Sequence, residues 1–520
     1  MTNKTWDVIV VGAGSSGSAF AVRSAEQGKR VLLLEAGRDY RSAEMHEAWR
    51  SPNPVVALMD PTAVEGMVWM GLDAARTETQ PMAPYWRGRG MGGSSSINGQ
   101  IAIRPPMQDF ADWARQGCLG WAPEDVMPYF IKLETDEEFG AESYHGRSGP
   151  TPIYRTPEDE WGSVDTALSG SAQAAGFEWS ADVNAPNGTG VSPYPINSRD
   201  RRRVSTNDAY LEDGRNLPNL TIRGDALVDQ VLFEGNRAIG VRYRAGEQDV
   251  SEHAGAVILS AGSIHSPAIL MRSGIGPQEQ LRSLGINVRA DLPVGRGLQD
   301  HPMAVLSLPL AQHAANKTPH DRHTNVCVRW TSSPDAHVND MMFVSMNQSV
   351  LAMATANTGA EFGAYGVWLN QNDSRGELTL RSADPLDQPV VDLKMLSDER
   401  DRTRMRHGIR SLVELASRDE TAAILDGSIE QENKLLFDAL ENDQALDDYL
   451  LDSVGDAQHG TSTCRMGATD QVDTVVDPMC QVLGVEGLHV VDASIFPSVP
   501  RANTNLAAIM VGELMADRLA

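Results

Sequence analysis

The chain has 520 residues, of which 41% are hydrophobic and 22% charged, a composition typical of a soluble globular protein that is long enough for more than one core. Its formal net charge of -26 excludes a nucleic-acid partner, because phosphate binding needs a basic surface. No apolar stretch reaches the roughly 18 residues of a membrane-spanning helix, so no membrane insertion is predicted.

The chain begins with the pattern of a dinucleotide-binding turn. Residues 6–11 form a short apolar run typical of a buried parallel strand, and a glycine-rich turn and a helical stretch to about residue 26 follow. In such a turn the first glycine allows the tight bend, the second lets the backbone approach a pyrophosphate, and the third lets the helix pack closely. The phosphates would bind at the amino terminus of this helix. The cofactor-binding residues predicted here are Gly12, Gly14, Ser15, Ser16 and Gly17.

A second apolar strand, residues 31–34, ends in an acidic residue. Glu35 follows Gly17 at a distance typical of the acid that accepts hydrogen bonds from a ribose hydroxyl, and Ala36 lies next to it. An acid at this position disfavours a phosphate on the ribose, so NADP is not expected. The turn alone leaves NAD and FAD open.

The loop from Gly88 to Asn98 is rich in glycine and serine. Such a loop offers many backbone N–H donors and suits a flavin ring and its phosphates. Ile97 and a β-type run are predicted to follow it. The predicted contacts are Arg89, Gly92, Gly93, Ser94, Asn98 and Gly99.

Later segments complete this part of the fold and add another. Strands are predicted at residues 256–259 and 488–491, and helices at 267–272 and 506–519, so the dinucleotide-binding part is discontinuous. Between them, β-type runs at 326–330, 341–344 and 365–369 and an amphipathic helix through Met405, Ile409, Leu412 and Leu415 predict a second, sheet-containing domain. The acidic stretch 435–451 is predicted to be one exposed helix.

Two segments carry a family resemblance. Gly88–Asn98 is similar to the first signature of the glucose–methanol–choline oxidoreductases, although Met91 stands where Leu, Ile, Val or Trp is usual, and Gly262–Gly276 resembles the second throughout. The resemblance spans essentially the whole chain. It implies an α/β fold with a Rossmann-like FAD-binding domain (1–155, 215–305 and 462–520) and an α+β substrate domain with an antiparallel sheet (156–214 and 306–461). It also implies FAD as cofactor and oxidation of an alcohol.

The same resemblance assigns individual residues. His459 matches the family's active-site histidine, although Gly460 and Ser462 replace the usual Pro and Gly and Gln458 stands where an aromatic residue is frequent. Asn505 matches the second active-site position. Ile97 occupies the place of the histidine that attaches FAD in some relatives, so non-covalent FAD is expected. The remaining implied cofactor contacts are Val228, Ala261, Gly262, Asp492, Ala493, Asn503 and Asn505.

The residue types fit the chemistry of alcohol oxidation. Neutral His459 could take the hydroxyl proton, and Asn505 could donate a hydrogen bond to the substrate oxygen. We therefore predict an FAD-dependent enzyme that oxidises a primary alcohol to an aldehyde, with further oxidation to the acid as an option. Its partners would be a small-molecule alcohol and oxygen or another electron acceptor. A hydroxynitrile-type lyase on the same scaffold and a non-catalytic flavoprotein are the alternatives.

The cysteines and the other histidines carry no predicted chemistry. The four cysteines form no CxxC pair, which predicts free thiols, no metal site and, with no apparent signal peptide, a cytoplasmic protein. His265 and His301 are predicted to pack or form hydrogen bonds. His145, His320 and His323 are predicted to be surface or loop residues.

Overall fold

A seven-stranded sheet forms the dinucleotide-binding part of the computed structural model, which describes residues 6–318, 320–348 and 362–520. Strand Trp6–Val11 pairs in parallel with Val31–Leu34 on one side and with Gln248–Leu259 on the other. Leu220–Arg223 extends one edge, and Leu488–Val490 pairs in parallel with Gln248–Leu259. The remaining strands, which are antiparallel, are Ala226–Glu234 and Arg237–Ala245.

Helices cover this sheet where the sequence predicted them. Helix Ser15–Glu26 packs against the last helix, Asn505–Arg518, which joins the two ends of the chain. The helix predicted at 267–272 begins earlier, at Gly262. Pro267 is tolerated inside it because the Ser263 carbonyl, which a proline nitrogen cannot bond, accepts a hydrogen bond from Thr463 Oγ1 at 2.7 Å.

A six-stranded antiparallel sheet forms the second part, which confirms the mixed α/β fold. Its strand order is Gly455–Asp456, Pro302–Pro309, Phe362–Leu369, Met341–Met346, Val326–Trp330 and Gly190–Pro193. Helix Glu399–Ala416 buries Met405, Ile409, Leu412 and Leu415, as predicted. The predicted domain boundaries stay predictions. The boundary predicted after residue 305 falls inside strand Pro302–Pro309.

The smaller elements connect the two sheets. A five-stranded sheet contains Arg296–Leu298, Gly376–Thr379, Val390–Asp392, Asp73–Ala75 and Ala83–Pro84. A three-stranded sheet contains Glu134–Asp136, Thr151–Arg155 and Pro195–Ile196. A two-stranded sheet contains Ser198–Arg199 and Arg202–Arg203. Further α-helices within the described residues are Glu47–Arg50, Val55–Leu58, Pro61–Val64, Met107–Arg115, Pro123–Leu133, Ser163–Ala174, Glu212–Gly214, Gln278–Ser283, Asp419–Ala422 and Ile429–Glu432.

Two local predictions were wrong. The acidic stretch 435–451 forms two helices, Lys434–Ala439 and Asp443–Ser453, because Asn442 caps the second helix by accepting a hydrogen bond from the Ala445 N–H. Two acidic side chains of the second helix, Asp443 and Asp447, form ion pairs with arginines of helix Glu399–Ala416. The residues around Ile97 do not form the predicted strand: Gly93–Ser96 is a 3-10 turn, and Ile101 makes an isolated bridge to Ile196.

His145 lies in a loop, one of the two positions predicted for it, but its side chain is buried rather than at the surface. Its Nδ1 lies 2.6 Å from Glu134 Oε1 and its Nε2 lies 2.9 Å from Asp182 Oδ2. Arg104 and Arg155 pair with the same two carboxylates. Burial alone lowers the pKa of His145, but the hydrogen bonds to Asp182 and Glu134 outweigh it and raise the pKa to about 9.

Alkaline pH is therefore expected to weaken the fold at His145. Because the folded pKa lies above the ordinary value, protonation stabilises the folded state fully below that value, and the contribution is lost as pH rises through about 9. Melting temperatures of the holoenzyme between pH 7 and pH 10 measure this loss. His145→Gln should remove most of the decline and the exposed His313→Gln none of it; equal declines in all three proteins would refute the assignment.

All four cysteines are buried free thiols, as predicted. No helix within the described residues is both long and apolar enough to cross a membrane. Across those same residues, no group of His, Cys, Asp and Glu side chains is arranged to hold a metal ion.

Candidate active site

A cavity of about 720 Å³ runs between the two sheets. It extends from Glu35 and Val228, past the glycine turn at Gly14, to His459. The predicted residues that line it are Gly12, Gly14, Ser15, Ser16, Glu35, Ala36, Gly93, Ser94, Asn98, Gly99, Val228, Ala261, Gly262, Asp492, Ala493, His459, Asn503 and Asn505.

Three predicted contacts, Gly17, Gly92 and Arg89, do not line the cavity. A Cβ at Gly17 would lie 2.0 Å from the Gly12 carbonyl oxygen, so this glycine serves the close packing of helix on turn. Gly92 has φ of +84°, and its N–H donates to the Ala13 carbonyl at 2.8 Å, which ties the glycine-serine loop to the first turn. The Arg89 guanidinium binds the Ala36 carbonyl instead.

The Glu35 carboxylate organises the dinucleotide end. Oε1 accepts hydrogen bonds from the N–H groups of Gly37 and Gly90, and Oε2 accepts one from Ala13 at 2.9 Å. Each carboxylate oxygen has two lone pairs, so Oε2 keeps one acceptor position for a ribose hydroxyl. Burial raises the pKa of Glu35, and these three N–H groups oppose that shift.

Replacing Glu35 is expected to weaken FAD retention. Glu35→Ala removes the Oε2 acceptor for the ribose hydroxyl. It also leaves three backbone N–H groups around the cofactor site without their acceptor, and each such buried group costs about 1–3 kcal/mol. FAD affinity should therefore fall by roughly tenfold or more. The ratio of flavin to protein absorbance after gel filtration measures it. Glu35→Gln keeps the shape, and its smaller loss would isolate the charge. Full flavin occupancy in both variants would contradict the ribose assignment.

The Asp492 carboxylate is fully engaged by the protein. Oδ2 accepts from the Gly262 N–H and from Ser266 Oγ, and Oδ1 accepts from the N–H and the hydroxyl of Ser494. Asp492, which follows strand Leu488–Val490, therefore links the start of helix Gly262–Arg272 to the 3-10 turn Ala493–Ile495. Any contact of this residue with a cofactor would come from its backbone.

The His459 ring belongs to a chain of hydrogen bonds that fixes its tautomer. His301 Nε2 lies 3.0 Å from the Pro500 carbonyl, which only accepts, so this nitrogen carries the hydrogen. His301 Nδ1 then accepts from His459 Nδ1 at 2.9 Å. His459 Nε2 is left with its lone pair and faces the Asn503 amide at 3.1 Å. His301 forms hydrogen bonds, as predicted, but its effect on the tautomer of His459 was not predicted from the sequence.

His459 is neutral in this environment. Burial, followed by the neighbouring His301 and the Arg87 guanidinium, lowers the pKa of His459 well below its usual range. Burial also lowers the pKa of His301 to about 4. A neutral ring whose Nε2 carries a lone pair rather than a hydrogen is the form that accepts a proton from a substrate.

Asn503, and not Asn505, is the amide beside His459. Asn503 Nδ2 faces His459 Nε2, and Asn503 Oδ1 is buried without a hydrogen-bond partner among the described residues. Asn505 starts the last helix, where its Oδ1 accepts from Ser15 Oγ at 2.8 Å and its Nδ2 donates to Asn197 at 3.2 Å. The structure therefore places Asn503 beside His459, where the sequence predicted Asn505, and the catalytic role of the amide stays a prediction.

Asp300 holds the backbone of both histidines. Its Oδ1 accepts from the N–H groups of His459 and His301 at 2.8 and 2.7 Å, and its Oδ2 accepts from Tyr85 Oη at 2.6 Å. A Cβ at Gly460 would lie 2.6 Å from Tyr85 Oη. Glycine at position 460, where the family usually has proline, therefore leaves room for the hydroxyl that binds Asp300.

The cavity fits FAD. A Cβ at Gly262 would meet no atom within 4 Å and would project into open space, so the backbone at this helix start is free to approach a large group. Gly93 packs against Gly14, where a Cβ would lie 2.8 Å from the Gly14 Cα, and this contact brings both glycine-rich loops to the same part of the cavity. Backbone donors at the start of helix Ser15–Glu26 and the spare Glu35 acceptor suit a pyrophosphate and a ribose.

Fold and cavity together define an FAD-dependent oxidoreductase that acts on CH–OH groups, in which the glycine-rich turn near one end of the chain and His459 near the other line the same cavity. Models for the amino- and carboxy-terminal parts of the GMC oxidoreductases match residues 6–303 and 372–512. The chain belongs to this family.

Similar proteins include several oxidases and dehydrogenases. The chain is 35% identical to 5-(hydroxymethyl)furfural oxidase of a Methylovorus species, over 100% of this chain and 99% of that protein. It is 32% identical to the oxygen-dependent choline dehydrogenase of Photobacterium profundum, over 99% of this chain and 93% of that protein. The crystal structure of pyridoxine 4-oxidase from Mesorbium loti superposes with a TM-score of 0.88 at 28% identity, covering 99% of both chains.

Several residues that line the cavity were not predicted from the sequence. They include Ile101, Tyr194, Met303, Val344, Met346 and Trp368, whose ring lies 5.5 Å from that of His459, and Trp69, His265 and Arg272, whose guanidinium donates to the Val228 carbonyl. The predicted strands at 341–344 and 365–369 were the available signal, but a strand pattern does not show which of its two faces meets a cavity.

Proposed function

We propose that this enzyme oxidises a primary alcohol to an aldehyde, with His459 as the base. The observation that carries the proposal is the neutral His459 ring, whose Nε2 lone pair lies against the Asn503 amide inside the cavity. FAD, when bound, supplies the acceptor for the hydride that leaves the alcohol carbon. The described residues bind it, orient the alcohol and move the hydroxyl proton.

The proton step follows from the hydrogen bonds. The alcohol O–H would donate to His459 Nε2, and Asn503 Nδ2 would donate to the same oxygen and stabilise the charge that develops on it. His301 holds His459 Nδ1 as the donor, so the proton can only enter at Nε2. Asp300 keeps both rings in place through their backbone N–H groups.

We further propose that FAD is held without a covalent bond. Ile97, which lines the cavity with 8% of its surface exposed, offers no nucleophile at the position where some relatives attach the flavin. Acid precipitation should release all yellow colour into the supernatant, and flavin that stays with the precipitate would refute this.

An anaerobic mixing experiment tests the proposed function. The purified yellow protein is mixed with a panel of primary alcohols and then exposed to air. Bleaching of the flavin absorbance by an alcohol supports the proposal. Fast recovery in air would identify an oxidase, and no recovery a dehydrogenase with another acceptor. A flavin that no alcohol bleaches would refute the proposal and favour a lyase.

A further inference from the structure

The substrate half of the cavity is walled by the antiparallel sheet. We define it by six side chains that line the cavity, of which Trp368 lies against His459: Ile101, Tyr194, Met303, Val344, Met346 and Trp368. Met303 and Trp368 oppose each other on neighbouring strands, and the Trp368 and His459 rings are 5.5 Å apart between centroids. Three of these side chains converge at Gly366, where a Cβ would lie 2.9 Å from Val344, 3.3 Å from Met346 and 3.6 Å from Met303.

The described charged residues around this wall leave no unpaired carboxylate for a cation. Among the described residues that line the cavity, the acid on this side is Asp456, and Arg76 binds it through Nη2 at 2.7 Å and Nε at 2.8 Å. Arg87 also lines the cavity beside His459, and its Nη2 is 3.9 Å from Asp300, its nearest carboxylate. Among the described residues, this side of the cavity is therefore apolar with a positive bias.

From this wall and these charges we propose that the substrate is an uncharged alcohol whose hydroxymethyl group is carried on a flat, apolar ring. Alcohols that carry a quaternary ammonium are excluded, because a cation here would lose its hydration without gaining a carboxylate partner. A ring contact offers a cation only about 0.5–2 kcal/mol, less than the several kcal/mol that desolvation costs. Aromatic and methionine side chains pack well on a flat ring. This inference rests on the proposed function.

A pair of isosteric alcohols tests the charge directly. Choline and 3,3-dimethylbutan-1-ol have the same shape, and a carbon replaces the charged nitrogen in the second. With the FAD-loaded enzyme under anaerobic conditions, the neutral alcohol should reduce the flavin roughly 100-fold more efficiently than choline. Benzyl alcohol should be better than both. Equal efficiency, or a preference for choline, would overturn the inference.

A pair of variants tests whether the lack of a carboxylate in this wall causes the preference for an uncharged alcohol over choline. Met346 is half-buried in the wall, so a polar side chain can be placed there. Met346→Glu should raise the efficiency of choline relative to 3,3-dimethylbutan-1-ol by about tenfold or more over Met346→Gln, which has the same shape without the charge. The same ratio in both variants would show that charge at this wall does not select the substrate.

Binding separates this inference from the proposed function. If no alcohol reduces the flavin, the proposed function fails, and the shift of the flavin absorbance on binding is measured instead. Benzyl alcohol should then bind with a dissociation constant at least about tenfold lower than benzyltrimethylammonium. Tighter binding of the cation would overturn the substrate class whatever reaction the enzyme performs.

Discussion

His459→Ala is expected to lower the rate constant of flavin reduction by an alcohol by roughly 10³-fold or more, with FAD retained. The loss should be large because the unprotonated Nε2 of His459 is the proposed acceptor of the hydroxyl proton. Anaerobic stopped-flow with benzyl alcohol, read at the flavin absorption maximum, measures this rate constant.

Two further proteins make this result specific. His459→Gln keeps hydrogen-bonding capacity but provides no base, so it should be nearly as slow as the alanine variant. His313→Gln, in an exposed loop, should reduce its flavin at the wild-type rate. Since burial holds the pKa of His459 well below its usual range, the wild-type rate should also stay level as pH falls to about 6.5. Near-wild-type reduction in His459→Ala would remove this residue from the mechanism.

The parts of the fold that depend on local physics could be predicted from the sequence. Strand Trp6–Val11, the glycine turn and helix Ser15–Glu26 are specified by short-range hydrophobic pattern and by glycine geometry. The burial of His145 could not be predicted in this way. Its partners Glu134 and Asp182 come from separate segments, and only the folded chain brings two carboxylates to one imidazole.

The choice between two asparagines in the candidate active site also could not be predicted from local sequence pattern. Family resemblance identified His459 and the Asn-Thr-Asn segment, but the two asparagines are only two residues apart in the sequence. Which of them faces the histidine depends on where the last helix begins. Because it begins at Asn505, that side chain is directed to Ser15, and Asn503 in the preceding loop meets His459.

Asn503→Ala and Asn505→Ala are therefore expected to impair different properties, the first the rate of flavin reduction and the second FAD retention. Asn503→Ala removes the donor to the substrate oxygen, so flavin reduction should slow by about 10²-fold while FAD stays bound. Asn505→Ala removes the tie between the last helix and Ser15 of the glycine turn, so FAD retention should fall, and reduction should slow less than in the first variant once excess FAD is supplied.

Measuring both quantities on both variants decides between the two asparagines. FAD content after gel filtration reports the cofactor site, and anaerobic stopped-flow at saturating FAD reports the chemical step. Crossed effects, with Asn503 governing the rate and Asn505 governing occupancy, follow from their separate hydrogen bonds. If Asn505→Ala with full FAD were the slower of the two, the amide beside His459 would not be the one that binds the substrate oxygen, and the family-based pairing with Asn505 would be restored.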